Sequence, residues 1–198
     1  MNPELPILGE PLIPEFANTL YRDEHAQFDV FDHSSWAAAW MVSAPCVSER
    51  APRRFSNDDL AQLRSLRDAI RRLLDPDSDR DRAGTLAVIN QAARMATPRR
   101  ELVLVGNSEL AVKAGSRASS LESFLASIAW RVFDAVENGD LELISLCSRP
   151  GCNMFYFRNH HRRRYCNQRC ANTDRQARYN RRLNERPDAH LNASGLRS

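Results

Sequence analysis

Four of the five cysteines in this 198-residue chain lie within 24 residues of one another. Their spacing is Cys147-x4-Cys152, thirteen residues, then Cys166-x3-Cys170. Two close pairs joined by a loop supply the four thiolates of a tetrahedral Zn²⁺ site, with each pair forming one knuckle. The pattern therefore predicts one bound Zn²⁺. A Cys₄ iron–sulfur site is the chemical alternative.

Four thiolates complete a tetrahedral shell and leave no position for water, so the predicted zinc is structural. The segment offers few other core groups, chiefly the aromatic run 154–157 and Tyr165. So small a core cannot offset the entropy of ordering the segment, and metal binding should be coupled to its folding. Disulfides would need an oxidising compartment. The N-terminus has no basic region followed by an apolar one, so we expect a cytoplasmic protein.

The charge of the chain changes sign at the cysteines. From Cys147 onward there are twelve Arg and three acidic residues, which gives +9, whereas the preceding 146 residues carry 16 basic and 22 acidic residues, which gives −6. Four thiolates and one Zn²⁺ together contribute −2, so the loaded segment is nearer +7. Such asymmetry indicates two parts with different partners.

A basic helix is predicted to follow Cys170, with Arg175, Arg178 and Arg182 along one stripe. Guanidinium groups match phosphate and guanine geometry, and side chains near the start of a helix can reach base edges. The alternatives are a solvated helix or a face docked on the acidic N-terminal part. The predicted nucleic-acid-binding residues are Arg162, Arg163, Arg164, Asn172, Arg175, Gln176, Arg178, Arg181 and Arg182.

The elements that precede the cysteines are mainly helical. Helices are predicted over 16–23, 28–43, from Ser56 to the polar loop at 75–79, over 82–96 and over 119–137. A change of period predicts a β-hairpin of 101–105 and 109–114 around Gly106, and 141–146 is predicted as a short strand or an extended lead-in to the cysteines. The fold class is therefore mainly α (α+β): a multihelical N-terminal domain with a β-hairpin, plus a small Cys₄ zinc finger ending in a basic helix.

The predicted divisions are an extended proline-containing arm over 1–14, a helical domain over 15–146, the finger and its helix over 147–186, and a flexible tail over 187–198. No catalytic motif is visible, so we do not predict an enzyme. His25 and His33 flank an aromatic, acidic stretch that could receive a small-molecule effector, which leaves a regulatory or sensory role open for the helical domain.

The cysteine segment resembles the CGNR zinc-finger family. The resemblance lies in Cys147-Ser-Arg-Pro-Gly-Cys152, the aromatic run 154–157 and the basic segment 161–166. Where that family has Cys-Gly-Asn-Arg, this chain has Cys170-Ala-Asn-Thr173, so Gly and Arg are replaced while Asn172 and the basic helix remain. The N-terminal part resembles the ABATE domain in 16–19, in 58–67 and in the helix 121–137.

The resemblance implies a bacterial, stress-induced transcription regulator that binds DNA. The alternative is an RNA-binding or protein-interaction module whose zinc is purely structural. A homodimer is compatible with the prediction, because a single finger of this size reads few base pairs.

Overall fold

The N-terminal residues form short elements around a buried aromatic cluster. The computed structural model describes residues 5–22, 26–47, 52–75, 81–97, 99–106, 109–115 and 118–184. Helix α1 (Leu12–Ala17) leads into a hairpin of β1 (Leu20–Arg22) and β2 (Gln27–Asp29), followed by a 3₁₀ helix (Val30–Asp32) and α2 (Ser34–Ser43).

The two helices predicted near the N-terminus do not have the predicted bounds. Helix α1 begins inside the predicted arm and ends before Asn18, and β1 and β2 occupy positions that were predicted as helical. The side chain of Asn18 bonds the distant carbonyl of Phe155, and the hydroxyl of Thr19 bonds the carbonyl of Phe16 in the last turn of α1. The chain then reverses into the hairpin. Residues 5–10 lie against the core, and Glu10 is buried.

Three longer helices pack into the main body. They are α3 (Asn57–Leu74), α4 (Arg82–Met95) and α5 (Ser120–Glu137). Ser56 and Asp59 form a reciprocal capping box at the start of α3, and Ser119 and Glu122 do the same for α5. Each box satisfies backbone N–H groups that the first helical turn leaves unpaired, so the sequence fixes both start points. The predicted starts at Ser56 and Ser119 are confirmed.

The core between these helices and the N-terminal elements is rich in aromatic rings. Phe16, Phe31 and Trp40 are each fully buried, and their ring centroids lie 5.7–6.2 Å apart. Phe31 and Trp40 meet edge to face, an arrangement that the charge distribution of aromatic rings favours. Leu63, Ile70 and Ile128 complete the contact from α3 and α5.

Two further strand pairs complete the fold. The predicted hairpin is confirmed as β3 (Arg99–Val105) and β4 (Glu109–Gly115). Strand β5 (Ile144–Leu146) pairs with β6 (Phe155–Phe157), and the last described element is α6 (Gln168–Asn184). The helix-rich α+β class is therefore confirmed. No helix among the described residues is long and apolar enough to span a membrane.

The β5–β6 pair joins the cysteine segment to the helical body. Strand β5 precedes Cys147 and β6 follows Cys152, so the predicted division after residue 146 falls between the two strands of one sheet. Ile144 and Phe155 belong to the main core, whereas Met154 and Tyr156 pack with the cysteines. The division into domains stays a prediction, and the predicted tail over 187–198 lies outside the described residues.

Candidate metal centre and basic helix

Two local turns position the four cysteines. In the first, the amide of Cys152 donates to the carbonyl of Arg149 at 3.0 Å, and Gly151 adopts a left-handed φ of 79°, which glycine tolerates without strain. In the second, the side chain of Asn167 accepts from the amide of Cys170 at 2.9 Å. Cys170 therefore lies in the first turn of α6, as its spacing from Cys166 predicts.

The sulfur geometry fits a tetrahedral zinc ion. All four sulfurs lie within 4.8 Å of one another, and all four side chains are buried. The Sγ atoms are 3.9 Å apart for Cys152 and Cys166, 3.6 Å for Cys166 and Cys170, and 3.9 Å for Cys170 and Cys152. Sulfurs held about 2.3 Å from one tetrahedral Zn²⁺ are about 3.8 Å apart. The cluster is thus a site for one structural zinc, and Cys147, Cys152, Cys166 and Cys170 are placed to be its ligands.

The close approach of the sulfurs also changes their proton affinities. Hydrogen bonds from Cys152 and Cys166 lower the pKa of Cys147, while the bond with Cys147 raises the pKa of Cys152. One thiolate is therefore stabilised by its neighbouring thiols. A metal ion bound here takes the place of the remaining protons, so metal uptake releases protons and weakens as pH falls.

Arg149, inside the first knuckle, balances the charge of the cluster. Burial acts to lower the pKa of Arg149, but the charges of Cys170 and Cys152 and hydrogen bonds with both raise it. Its Nε is buried and has no hydrogen-bond partner among the described residues. Four thiolates around one Zn²⁺ carry −2, and a cation beside them stabilises the loaded state. Arg149 was not among the predicted site residues.

A partly buried ion pair connects the N-terminal segment to the second knuckle. The guanidinium of Arg163 binds the carboxylate of Glu10, and it also donates to the carbonyls of Phe157 and Cys166 at 3.0 and 2.9 Å. The other oxygen of Glu10 accepts from the amide of Phe157 at 3.0 Å. The guanidinium of Arg163 therefore makes its contacts within the protein. Docking of the basic segment on the N-terminal part was the alternative to nucleic-acid contact given above.

Arg71 on α3 makes a second connection. It donates to the carbonyls of Ala17 and Leu20 at 2.7 and 3.0 Å and to the carbonyl of Asn153 at 3.0 Å. Its guanidinium carbon lies 5.0 Å from the centre of the Phe155 ring. Burial, with a contribution from Arg67, lowers the pKa of Arg71 to about 10. No short sequence pattern predicts such a contact, because it joins residues 82 positions apart.

Helix α6 extends from the metal centre with almost no buried surface. Cys170 is its buried residue, and every position from Arg175 to Asn184 is exposed. The helix carries five Arg and one Asp, a net charge of +4. Arg178 pairs with Asp174 at 3.0 Å, and Asp174 also accepts from the hydroxyl of Tyr165 at 2.6 Å. Among the described residues, no ion pair involves Arg175, Arg181 or Arg182.

A second stripe on α6 is made of amide side chains. Gln168 donates to Asn172 at 2.9 Å, and Gln176 donates to Asn180 at 3.0 Å, each one turn along. At 100° per residue this stripe lies beside the one formed by Arg175, Arg178 and Arg182. Asn172 and Gln176 were among the predicted nucleic-acid-binding residues, whereas Gln168 and Asn180 were not. Their regular spacing of four was the signal that could have identified them.

The other residues predicted to have a function are not part of the metal centre. Arg162 and Arg164 are exposed in the loop before Cys166. His33 packs against the ring of Trp36, with centroids 4.0 Å apart, and His25 lies outside the described residues. Burial, the larger effect, and the charge of Glu15 raise the pKa of the Cys46 thiol to about 11, which keeps it protonated. The effector prediction stays a prediction.

The metal centre and its basic helix define a zinc-finger protein, and comparison with known families gives the particular kind. The ABATE family model, described as "Putative stress-induced transcription regulator", matches residues 10–139. The CGNR zinc finger model matches residues 144–183. The chain therefore belongs to the ABATE family and carries a CGNR zinc finger, as its motifs indicated. Neither description names a reaction. A search of curated proteins finds no match.

Proposed function

We propose that this protein binds DNA through α6 and acts as a transcription regulator. The single observation that carries the proposal is the exposure of the helix from Arg175 to Asn184 together with its net charge of +4. Its exposed surface is mostly polar, with Tyr179 and Leu183 as the large apolar side chains that face solvent, so packing on its own protein would stabilise it little. A solvated helix of this kind with a basic stripe is suited to a polyanion.

The two stripes of α6 have different roles in the proposed recognition of DNA. In the proposed complex, Arg175, Arg178 and Arg182 neutralise phosphates, which supplies affinity without sequence preference. The amide stripe beside them faces base edges, where Asn and Gln pair well with adenine. Arg162, Arg164 and Arg181 add further charge near the same nucleic acid. Arg163 is left out of this surface because Glu10 and two carbonyls occupy its guanidinium.

The zinc has an indirect part in this function. Cys170 is both a metal ligand and a first-turn residue of α6, so the bound ion fixes where the helix starts relative to both knuckles. The chemistry it supplies is cross-linking, which holds four thiolates in one small core. In this proposal the zinc positions the helix and does not contact the nucleic acid.

The test is a salt titration of the full-length, zinc-loaded protein with labelled duplexes selected from random sequence, followed by fluorescence anisotropy. We expect log affinity to fall linearly with log salt, by about 0.9 per phosphate neutralised. The triple variant R175Q/R178Q/R182Q should weaken binding and flatten that slope. The control R54Q/R94Q/R131Q removes the same charge from exposed positions on the N-terminal part, and it should change little.

Two results would argue against DNA binding through α6. One is equal loss of binding in the test and control variants, which would mean that only the net charge of the protein matters. The other is tighter binding to hairpin RNA than to any selected duplex, which would favour the RNA-binding alternative.

A further inference from the structure

The hairpin of β3 and β4 presents a continuous apolar face to solvent. Its register places Leu102 opposite Val112 and Leu104 opposite Leu110. Directly paired residues, and residues two apart on one strand, share a face of a hairpin. These four side chains are 62–74% exposed. They form one patch, which is called the hairpin face below.

The hairpin face points away from the protein body. On the opposite side of the same strands, Val103 and its partner Ala111 are half-buried. Single exposed apolar residues are common on proteins, but contiguous patches are uncommon and usually mark a contact surface. An uncovered apolar hairpin with two open edges also invites aggregation.

The rest of this chain does not fit as the cover. The longest segment outside the described residues is 185–198, and its large apolar side chains are Leu191 and Leu196 among charged and polar residues. The other such segments contain at most five residues each. None of these segments has enough large apolar side chains to cover the four that form the hairpin face.

We propose that the hairpin face is the dimerisation surface of this protein and that its occupant is a second copy of the same hairpin. Four side chains of this size at this exposure present about 500 Å² per copy, so two copies would bury about 1,000 Å². That area reaches the lower limit for a specific interface even before flanking residues are counted.

The hairpin face is also complementary to the same face of a second copy. Around a two-fold axis, each residue of one copy contacts the symmetry-related set on the other, so a patch without charge in its four central positions meets an equally uncharged patch. The paired faces pack as two small sheets, with side chains from each filling the gaps of the other. This dimer does not depend on DNA binding and involves none of the residues assigned to the metal centre.

The experiment measures the mass of full-length, zinc-loaded protein by sedimentation equilibrium across a range of concentrations. The test variant is Val112→Glu, and the control is Val42→Glu on α2, because Val112 is 62% exposed and Val42 is 66% exposed. We expect the wild type to dimerise reversibly and Val112→Glu to raise the dissociation constant at least tenfold. Val42→Glu should leave it unchanged. Circular dichroism and zinc content should match across all three proteins.

Further variants exclude an unrelated interface. A photo-crosslinking residue placed at position 104 should join two copies of the chain, whereas one placed at position 42 should not. The proposal is overturned by a wild type that stays monomeric at every soluble concentration. It is equally overturned by a dimer that Val112→Glu and Leu104→Glu both leave intact.

Discussion

The side-chain amide of Asn18 and the backbone of Phe155 form two reciprocal hydrogen bonds. Asn18 Nδ2 donates to the Phe155 carbonyl at 2.8 Å, and the Phe155 amide donates to Asn18 Oδ1 at 2.7 Å. Both residues are buried. Because a side-chain amide carries both donor N–H groups and an acceptor oxygen, it can pair with the N–H and C=O of one strand residue as a neighbouring strand would. The residue that follows α1 thus holds β6 beside the metal centre.

We predict that Asn18→Asp loosens this connection. A carboxylate can still accept from the Phe155 amide but cannot donate, so the carbonyl loses its partner and faces a negative charge. The expected loss in the free energy of unfolding is about 3 kcal/mol. It is measured by urea denaturation of the zinc-loaded protein. Asn159→Asp, the same change at an exposed position of the finger, is the control and should cost little. Equal effects would mean that the charge alone matters.

Arg149→Gln should weaken zinc binding. The substitution removes a cation that lies beside the sulfurs of Cys152 and Cys170, and it leaves all four ligands in place. Residues that support metal ligands commonly contribute about tenfold or more to metal affinity, and we expect a loss of that size. Competition against a chromogenic chelator at fixed pH gives the affinity. Arg164→Gln, which removes an exposed charge from the same finger, should leave it nearly unchanged.

Removing the zinc should unfold the finger but leave the helical body folded. The core around the cysteines contains little besides Met154 and Tyr156, so it cannot stay ordered without the metal. We expect chelation, or Cys152→Ser, to abolish the helical signal of the 17 residues of α6 while α3 and α5 persist. Far-UV circular dichroism and amide exchange separate the two regions. An unchanged spectrum and exchange pattern after complete metal removal would contradict this coupling.

Arg163 and Arg175 should behave differently toward DNA. Arg163→Gln removes the partner of buried Glu10, so it should lower stability while the salt dependence of DNA binding by the folded protein stays the same. Arg175→Gln should leave stability unchanged and reduce the salt slope by about 0.9, the value for one phosphate contact. Thermal unfolding and anisotropy titrations are run on both variants. A flatter slope for Arg163→Gln would return that residue to the binding surface.

Local sequence signals predicted the parts of this protein that depend on local interactions. Cysteine spacing gives the metal centre because each knuckle closes within a few residues, and the capping Ser56 and Ser119 mark helix starts through bonds to their own first turns. The structure confirms both. The first helix was predicted over 16–23, too far along the chain, whereas α1 ends at Ala17. Its end depends on Asn18, whose hydrogen-bond partner Phe155 is 137 residues away. For the same reason, no local pattern predicted the contact of Arg163 with Glu10 or that of Arg71 with Asn153.

Helix α6 is fixed near one end only, where Cys170 joins the metal centre. Its 17 residues span about 25 Å at 1.5 Å per residue. A rotation of about 10° at Cys170 would therefore displace the far end by about 4 Å, more than half the rise between adjacent turns. The zinc centre is the point about which α6 would turn. The bonds from Asn18, Arg71 and Glu10 to the finger therefore set the orientation of α6 relative to the helical body.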